Sequence, residues 1–500
     1  MTELRKKMEE AGIDAERSEE ILAICNDPDY TPPNTVVARE IPGVDGTQVI
    51  DRAGLSTYTL PEERYRRHLA EVAPEVDPDR YGVSNPDGTR TLSLQELTTL
   101  GVLLYPYLSY GVLNGGSASS YADRIKNAGF DESLFHLYEA EFQRLAPEVT
   151  GKPKGVTPAF VNPDGSAGPS FLELKFRMIL RAGRLYRETA ASEGVTPPEG
   201  LKPVLPFFEM TSGATDQPLR EAYQRYRHSP LLADLDDRDV LLDTLHARQP
   251  LLAALTHRGD GRPLSFFLTS GGEPLGFPGG HGQNFQVLGD IYRTLLSAGK
   301  RFVYLGNVDN IGFTVDPVSL AITALSGAPA GFDFAFRTPV DVKGGILVRD
   351  DAGHLNCADI GPAISREEVL RQESEGNRIL FNCATGLFDL RHLCANRARI
   401  VRELPLRVSD QEKDVGRYSQ AEQVTWEVIA LLDSPLIFGI DKYQRFLAAK
   451  MLLETLLTSG LKKDQATLIQ PTAVELHQGL QRVLKEQYGL VLRDQRWQPG

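Results

Sequence analysis

The stretch from Pro278 to Asp316, PGGHGQNFQVLGDIYRTLLSAGKRFVYLGNVDNIGFTVD, constrains the fold more than any other part of the chain. It reads as loop, helix, strand and loop. Gly279, Gly280 and Gly282 surround His281 in a turn that residues bearing a Cβ would form with difficulty. Phe285, Leu288, Ile291, Leu295 and Leu296 follow at helical spacing, and Gly299 ends the run. Arg301 to Leu305 is then a short apolar strand closing on Asn307-Val-Asp309-Asn310. In open α/β sheets, ligands bind beyond the carboxyl ends of the strands. Asp309 stands where a metal-holding carboxylate would be placed, and the turn around His281 can approach a phosphate closely.

The rest of the chain repeats this alternation. Leu108 to Leu113 reads as a strand running straight into Asn114-Gly115-Gly116, whose backbone N–H groups can face a ligand. Further strands are expected at 204–208, 266–268, 340–348 and 379–382. Thr59-Leu-Pro-Glu62, Ser93-Leu-Gln-Glu96 and Ser170-Phe-Leu-Glu173 have the form of capping boxes opening helices. Residues 150–169 are expected to form an exposed loop. The pattern predicts an α/β fold, a Rossmann-like mixed sheet with flanking helices. Composition shifts divide it into a helical N-terminal region (1–88), the α/β domain (89–405) and a small, mostly helical C-terminal domain (406–500).

The formal net charge of -13 argues against a nucleic-acid partner or an anionic membrane surface, since either demands a basic face. A small anionic substrate is compatible with it, because a few local Lys and Arg residues suffice. Cys25, Cys357, Cys383 and Cys394 show no CxxC spacing, which fits reduced thiols in a cytoplasmic protein. The charged start MTELRKKMEEAG does not read as a signal peptide, and no apolar run approaches a membrane span. Taken singly, the site-like pieces have ordinary readings. Asp309-Asn310 is a common Asx turn, Lys343-Gly-Gly a bulge, and Lys450 the wet face of a helix. Their order, and their placement at strand ends, is what argues for a site.

Together these residues resemble the UTP–glucose-1-phosphate uridylyltransferases, with the UDP-N-acetylhexosamine pyrophosphorylases as more distant relatives. The resemblance covers about residues 108–455. LNGG at 113–116 is similar to the family's nucleotide-binding turn, and SFLELK at 170–175 to its helix entry. PGGHG at 278–282 resembles PPGHG, and GNVDNIGFTVD at 306–316 resembles NxDNLGATVD. DVKGGIL at 341–347 is similar to DVKGGTL, ILFNCATGLFDL at 379–390 to IFNTNNLW, and RFLAAK at 445–450 to RFLPVK.

The resemblance implies a nucleotide-diphospho-sugar transferase fold and nucleotidyl transfer. An oxygen of glucose 1-phosphate attacks the α-phosphorus of UTP, giving UDP-glucose and pyrophosphate. Such chemistry needs positioning and neutralisation of crowded negative charge. The implied roles are catalytic for Lys126, His281 and Lys450, and nucleotide-binding for Asn114, Gly115, Gly116, Gly280 and Asp309. His281, Asn307, Lys343, Gly345, Asn382 and Lys450 would hold the sugar phosphate, and Asp309 would ligate Mg2+. Other readings are a uridylyltransferase for another sugar 1-phosphate, such as N-acetylhexosamine or galactose, and a nucleotide-sugar-binding relative with impaired catalysis.

The chain also departs from the family pattern. Where LNGG continues as LGTSMG with a lysine beyond, this chain has Ser117-Ala-Ser-Ser120-Tyr-Ala, and Lys126 falls one position early, with Arg124 as a possible substitute. The family's uracil-reading glutamine has no clear match in FFLTSGGEP. Eukaryotic members carry a C-terminal β-helix, whereas about fifty helical-looking residues follow Lys450 here. The oligomeric state is left open.

Overall fold

Phe302–Asn307 is a strand buried at every position but its last, and a large sheet extends from it on both sides. The computed structural model describes all residues except 1–2, 29–36, 117, 119, 120, 242, 261–262, 339–340, 342–343 and 414. Its strands run in the order Val49–Asp51, Leu436–Ile440, Ala330–Phe336, Leu380–Asp389, Phe302–Asn307, Leu108–Leu113, Phe207–Ser212 and Leu245–Gln249. All of these point the same way except Leu380–Asp389, which is antiparallel to both its neighbours. The hairpin of Gly345–Asp350 and Leu355–Asp359 joins the start of that reversed strand through Ile346 and Phe381.

Helices cover both faces, so the parallel strands are apolar along their whole length rather than alternating. Leu108–Leu113 and Phe207–Ser212 are buried at all positions. Along Phe302–Asn307, Phe302 and Tyr304 enter one apolar cluster while Val303 and Leu305 enter another, so the sheet separates two cores. Two of the expected capping boxes are present. Ser93 and Glu96 open Leu94–Leu103, and Ser170 and Glu173 open Phe171–Glu193, which ends on left-handed Gly194. The third is replaced by a strand. Thr57–Pro61 pairs with Thr89–Ser93, burying Tyr58 and Leu60, and the helix Glu62–Val72 starts after Pro61 without a side-chain cap.

The flanking regions are less helical than their composition suggests, and both supply strands to the large sheet. Val49–Asp51 comes from the N-terminal side and Leu436–Ile440 from the C-terminal side. The strands Leu406–Lys413 and Gly416–Gln423 pair antiparallel before that strand. The helices Leu452–Ser459 and Ala473–Glu486 bury Leu453, Leu456, Val483 and Leu484 in the same core as Tyr110 and Phe313. No helix among the described residues is long and apolar enough to cross a membrane.

Candidate active site

In this topology one edge of the sheet collects the carboxyl ends of the parallel strands. Asn307 is level with Leu113, Leu113 with Met210, and Ser212 with Gln249. The reversed strand begins at that edge, which brings Asn382 there too. Asp309 lies just beyond Asn307 and is 6% exposed. Its carboxylate accepts from Lys450 Nζ at 3.0 and 3.3 Å and faces Lys154 Nζ at 3.2 Å. Burial by itself would raise the Asp309 pKa. The two ammonium groups outweigh that effect and hold the carboxyl below its usual range.

The loop carrying Asp309 is fixed by its own carbonyls. Lys175, fully buried, donates to the carbonyls of Asn310 and Phe313 at 2.5 and 2.7 Å. Tyr488 donates to Ile311 at 2.6 Å, and Tyr110 to Phe313 at 2.7 Å. The Asn310 side chain accepts from the N–H groups of Gly312 and Leu447 and donates to the Arg445 carbonyl. Residues 445–450 therefore lie alongside this loop, which is why RFLAAK delivers its lysine to Asp309.

Lys154 comes from the loop read as exposed, and the signal for it was the KPKG at 152–155. Its N–H donates to the Gly116 carbonyl at 3.1 Å, and the Ala118 N–H donates to the Lys152 carbonyl at 2.8 Å. Asn114 locks this arrangement. Its Oδ1 accepts from the Gly155 N–H at 3.1 Å and its Nδ2 donates to Glu209 Oε2 at 3.0 Å. Gly155 has to be glycine, because a Cβ there would stand 2.7 Å from Asn114 Nδ2. The Lys154 side chain is 12% exposed, and its ammonium lies 4.4 Å from the centre of the Tyr121 ring and donates to the Ala449 carbonyl. Burial lowers its pKa, and Asp309 pulls it back part of the way. Two helices, Arg124–Phe130 and Glu132–Val149, separate Gly116 from Lys154 in sequence, so a gapless comparison stops short of it. Lys126 is exposed on the first of these helices, where Arg124 pairs with Glu139. Among the described residues, the lysines that meet Asp309 are Lys154 and Lys450.

The two glycine turns meet through Gln249, a residue the sequence reading passed over. Its Nε2 donates to the Gly280 carbonyl and to Gln283 Oε1, each at 2.7 Å, and its Oε1 would be 3.1 Å from a Cβ on Gly115. Among the described residues, a Cβ on Gly116 would meet nothing within 4 Å. The other turn is packed. Gly280 has φ +79°, and a Cβ there would stand 2.4 Å from the Gln423 carbonyl oxygen. This packing holds His281 against Thr425, whose backbone N–H donates to His281 Nδ1 at 3.0 Å. With Nδ1 accepting, the neutral ring carries its proton on Nε2. Burial, reinforced by Lys450 and Arg407, lowers the His281 pKa to about 4, so the ring stays neutral near pH 7.

Asn307 and Asn382 are partly exposed, and Asn382 Oδ1 accepts from the Ala384 N–H at 2.9 Å. Gly345 opens the hairpin strand paired with Asp359, while Lys343 lies outside the described residues. Among the described residues no group of three or more His, Cys, Asp or Glu side chains is placed to hold a metal. Asp309 is a single carboxylate already facing two ammonium groups. Such a set fits a cation that arrives on phosphate oxygens and takes one protein carboxylate. It does not fit a resident metal caged by the protein.

Residues 273–461 match the sequence model of the family described as UTP–glucose-1-phosphate uridylyltransferase. A Schizosaccharomyces pombe protein described as a probable UTP–glucose-1-phosphate uridylyltransferase is 27% identical over 195 residues, 39% of this chain and 33% of that protein. A second match to a protein of that description and organism is 36% identical over 99 residues, 19% of each chain. The chain thus matches about a third and about a fifth of the length of these curated relatives. Among solved structures, the Trypanosoma brucei UDP-N-acetylglucosamine pyrophosphorylase in complex with inhibitor aligns with TM-score 0.59 at 16% identity, covering 96% of this chain and 83% of that one. A mutant UDP-glucose pyrophosphorylase from Leishmania major in complex with UDP-glucose aligns with TM-score 0.56 at 16% identity, covering 100% and 82%. The part of the chain similar to the UTP–glucose-1-phosphate uridylyltransferase family, residues 273–461, carries the His281 turn, Asp309 and Lys450, and the chain as a whole has the fold of the UDP-sugar pyrophosphorylases.

Proposed function

We propose that the chain is a uridylyltransferase that makes UDP-glucose and pyrophosphate from UTP and glucose 1-phosphate. The observation that carries this reading is Asp309 set between Lys154 and Lys450 at the carboxyl ends of parallel strands. In the reaction an oxygen of the sugar phosphate attacks the α-phosphorus and pyrophosphate leaves, with charge spread over the equatorial oxygens. The protein's task is to hold cations and donors where that charge develops. Lys154, fixed by the Ala449 carbonyl and the Tyr121 ring, is preorganised to meet the α-phosphate. The Lys450 side chain is 60% exposed and can leave Asp309 for a phosphate of either substrate. His281, neutral with its proton on Nε2, can donate to the sugar phosphate without adding charge.

Gly115 and Gly116 line the nucleotide in this reading, beside Asn114 and Gly280, which hold the two turns. Asn307, Gly345 and Asn382, with Lys343 on sequence grounds, take the sugar phosphate. A divalent cation, which we take to be Mg2+, would neutralise triphosphate charge with Asp309 as its protein ligand. The four free cysteines favour a cytoplasmic setting. A relative without catalysis fits less well, since Lys154 supplies the cation that the sequence just after Gly116 lacks. The test is to mix the purified protein with UTP, Mg2+ and glucose, galactose or N-acetylglucosamine 1-phosphate, and to follow pyrophosphate and UDP-sugar. Release with glucose 1-phosphate is expected. Tight UDP-glucose binding with no release from any sugar would refute the enzyme reading.

A further inference from the structure

One partly buried ion cluster has no role in the site as described so far. Arg407, on the hairpin strand Leu406–Lys413, donates from Nε and Nη2 to Glu427 Oε1 at 2.9 and 2.6 Å, and from Nη1 to Asp359 Oδ2 at 2.8 Å. Glu427 is 3% exposed, and its Oε2 has no hydrogen-bond partner among the described residues. A buried carboxylate oxygen without a donor is costly, and a staple that served the fold alone would be expected to satisfy it.

The cluster is continuous with the sugar side of the site. Asp359 pairs in register with Gly345, and a Cβ on Gly345 would stand 2.5 Å from Cys357 Sγ and 3.8 Å from Asp359 Oδ1. Asn382 stands beside that same thiol, which also senses Arg407, Glu427 and Asp359. Glu427 follows Thr425, the residue that orients His281, by two positions. The charge on Arg407 also reaches His281. The Arg407 and Asp359 side chains keep 31% and 40% exposure, whereas Glu427 is sealed behind them.

We propose that Arg407, set by Glu427 and Asp359, determines sugar specificity by donating to a hydroxyl of the hexose in the sugar 1-phosphate. Three of its five N–H groups are spent on the two carboxylates, which leaves donors for a ligand. Because two carboxylates already face the guanidinium, it suits a neutral hexose and rejects a uronic acid. Glu427 acts through Arg407 as a positioning residue. This inference rests on the uridylyltransferase reading.

The test is calorimetry of UDP, UDP-glucose and UDP-glucuronate against wild type, Arg407→Met, Arg407→Lys and Glu427→Gln, with thermal melts of each. Arg407→Met is expected to weaken UDP-glucose by about 10- to 100-fold, the weight of a hydrogen bond from a charged donor, with UDP changed less than about twofold. Arg407→Lys should lose most of that discrimination, since an ammonium cannot keep the fork geometry. Glu427→Gln should narrow the preference for UDP-glucose over UDP-glucuronate while both proteins stay folded. If Arg407→Met lowers the melting temperature but weakens UDP and UDP-glucose equally, or neither, Arg407 is only a staple and the inference falls. If wild type binds neither ligand, the uridylyltransferase reading fails first, and this inference with it.

Discussion

Replacing Lys154 by Met tests the centre of the site. The ammonium is 3.2 Å from Asp309 Oδ2, with its side chain 12% exposed. At that separation a unit charge pair is worth roughly 5 kcal/mol at an effective dielectric constant near 20. An α-phosphate oxygen taking up a similar distance would draw on the same attraction, less what Lys154 gives up in loosening its hold on Asp309. A net transition-state loss of about 3–4 kcal/mol follows, or about 10²–10³ in kcat, comparable with removing one donor from an oxyanion site. The fold should survive, because Lys450 at 3.0 Å still neutralises Asp309. The assay is steady-state pyrophosphate release with UTP and glucose 1-phosphate saturating, together with a thermal melt. Lys126→Met, made alongside, should change kcat by less than about threefold, as befits an exposed cation. A Lys154→Met protein that stays folded and keeps more than half of wild-type kcat would refute the reasoning. So would a Lys126→Met protein that is the more damaged of the two.

Other parts of the site give sharper structural tests. Asp309→Asn should leave a folded protein whose turnover falls by orders of magnitude and whose half-saturating Mg2+ concentration rises, both read from a metal titration of activity. The His281 pKa, lowered from 6.5 to about 4, contributes stability that is fully present above pH 6.5 and is lost as pH falls toward 4. The loss should be at most about 3 kcal/mol, seen as a steeper fall in denaturant midpoint between those pH values for wild type than for His281→Gln. Gly280→Ala places a Cβ 2.4 Å from the Gln423 carbonyl at φ +79°. It should cost about 2–5 kcal/mol by strain and overpacking, checked by chemical denaturation. Asn114→Ala cuts the tie between Gly155 and Glu209, so melts should show a loss of about 1–3 kcal/mol, and kcat should fall with it as Lys154 loses its register.

The local motifs were readable because each is fixed by short-range chemistry. Ser93 with Glu96 and Ser170 with Glu173 close capping boxes within four residues. Phe302–Asn307 is a strand because its apolar run can be covered on both faces. The chain order of the glycine turn, Asp309 and Lys450 was likewise visible. What could not be read was how segments far apart in sequence come to share the site. Lys154 follows two helices, and it reaches Asp309 because Asn114 and Gly116 pin its loop through backbone hydrogen bonds that leave no periodic signature. Gln249 carries no motif of its own, and only strand register sets it between two glycine turns. Thr59 lost its cap to a strand pairing that buries Tyr58 and Leu60.

By itself, then, the sequence determined the alternation of strand and helix, the glycines that only tight turns demand, and one carboxylate at a strand end. Tertiary structure alone decided which cations face that carboxylate. An ammonium group is stable almost anywhere on a solvated surface, and becomes part of a site only where packing removes the water around it. Lys126 remains exposed while Lys154 is buried against Tyr121 and Asp309, and the KPKG around Lys154 marks a turn without showing which of the two lysines packing will bury.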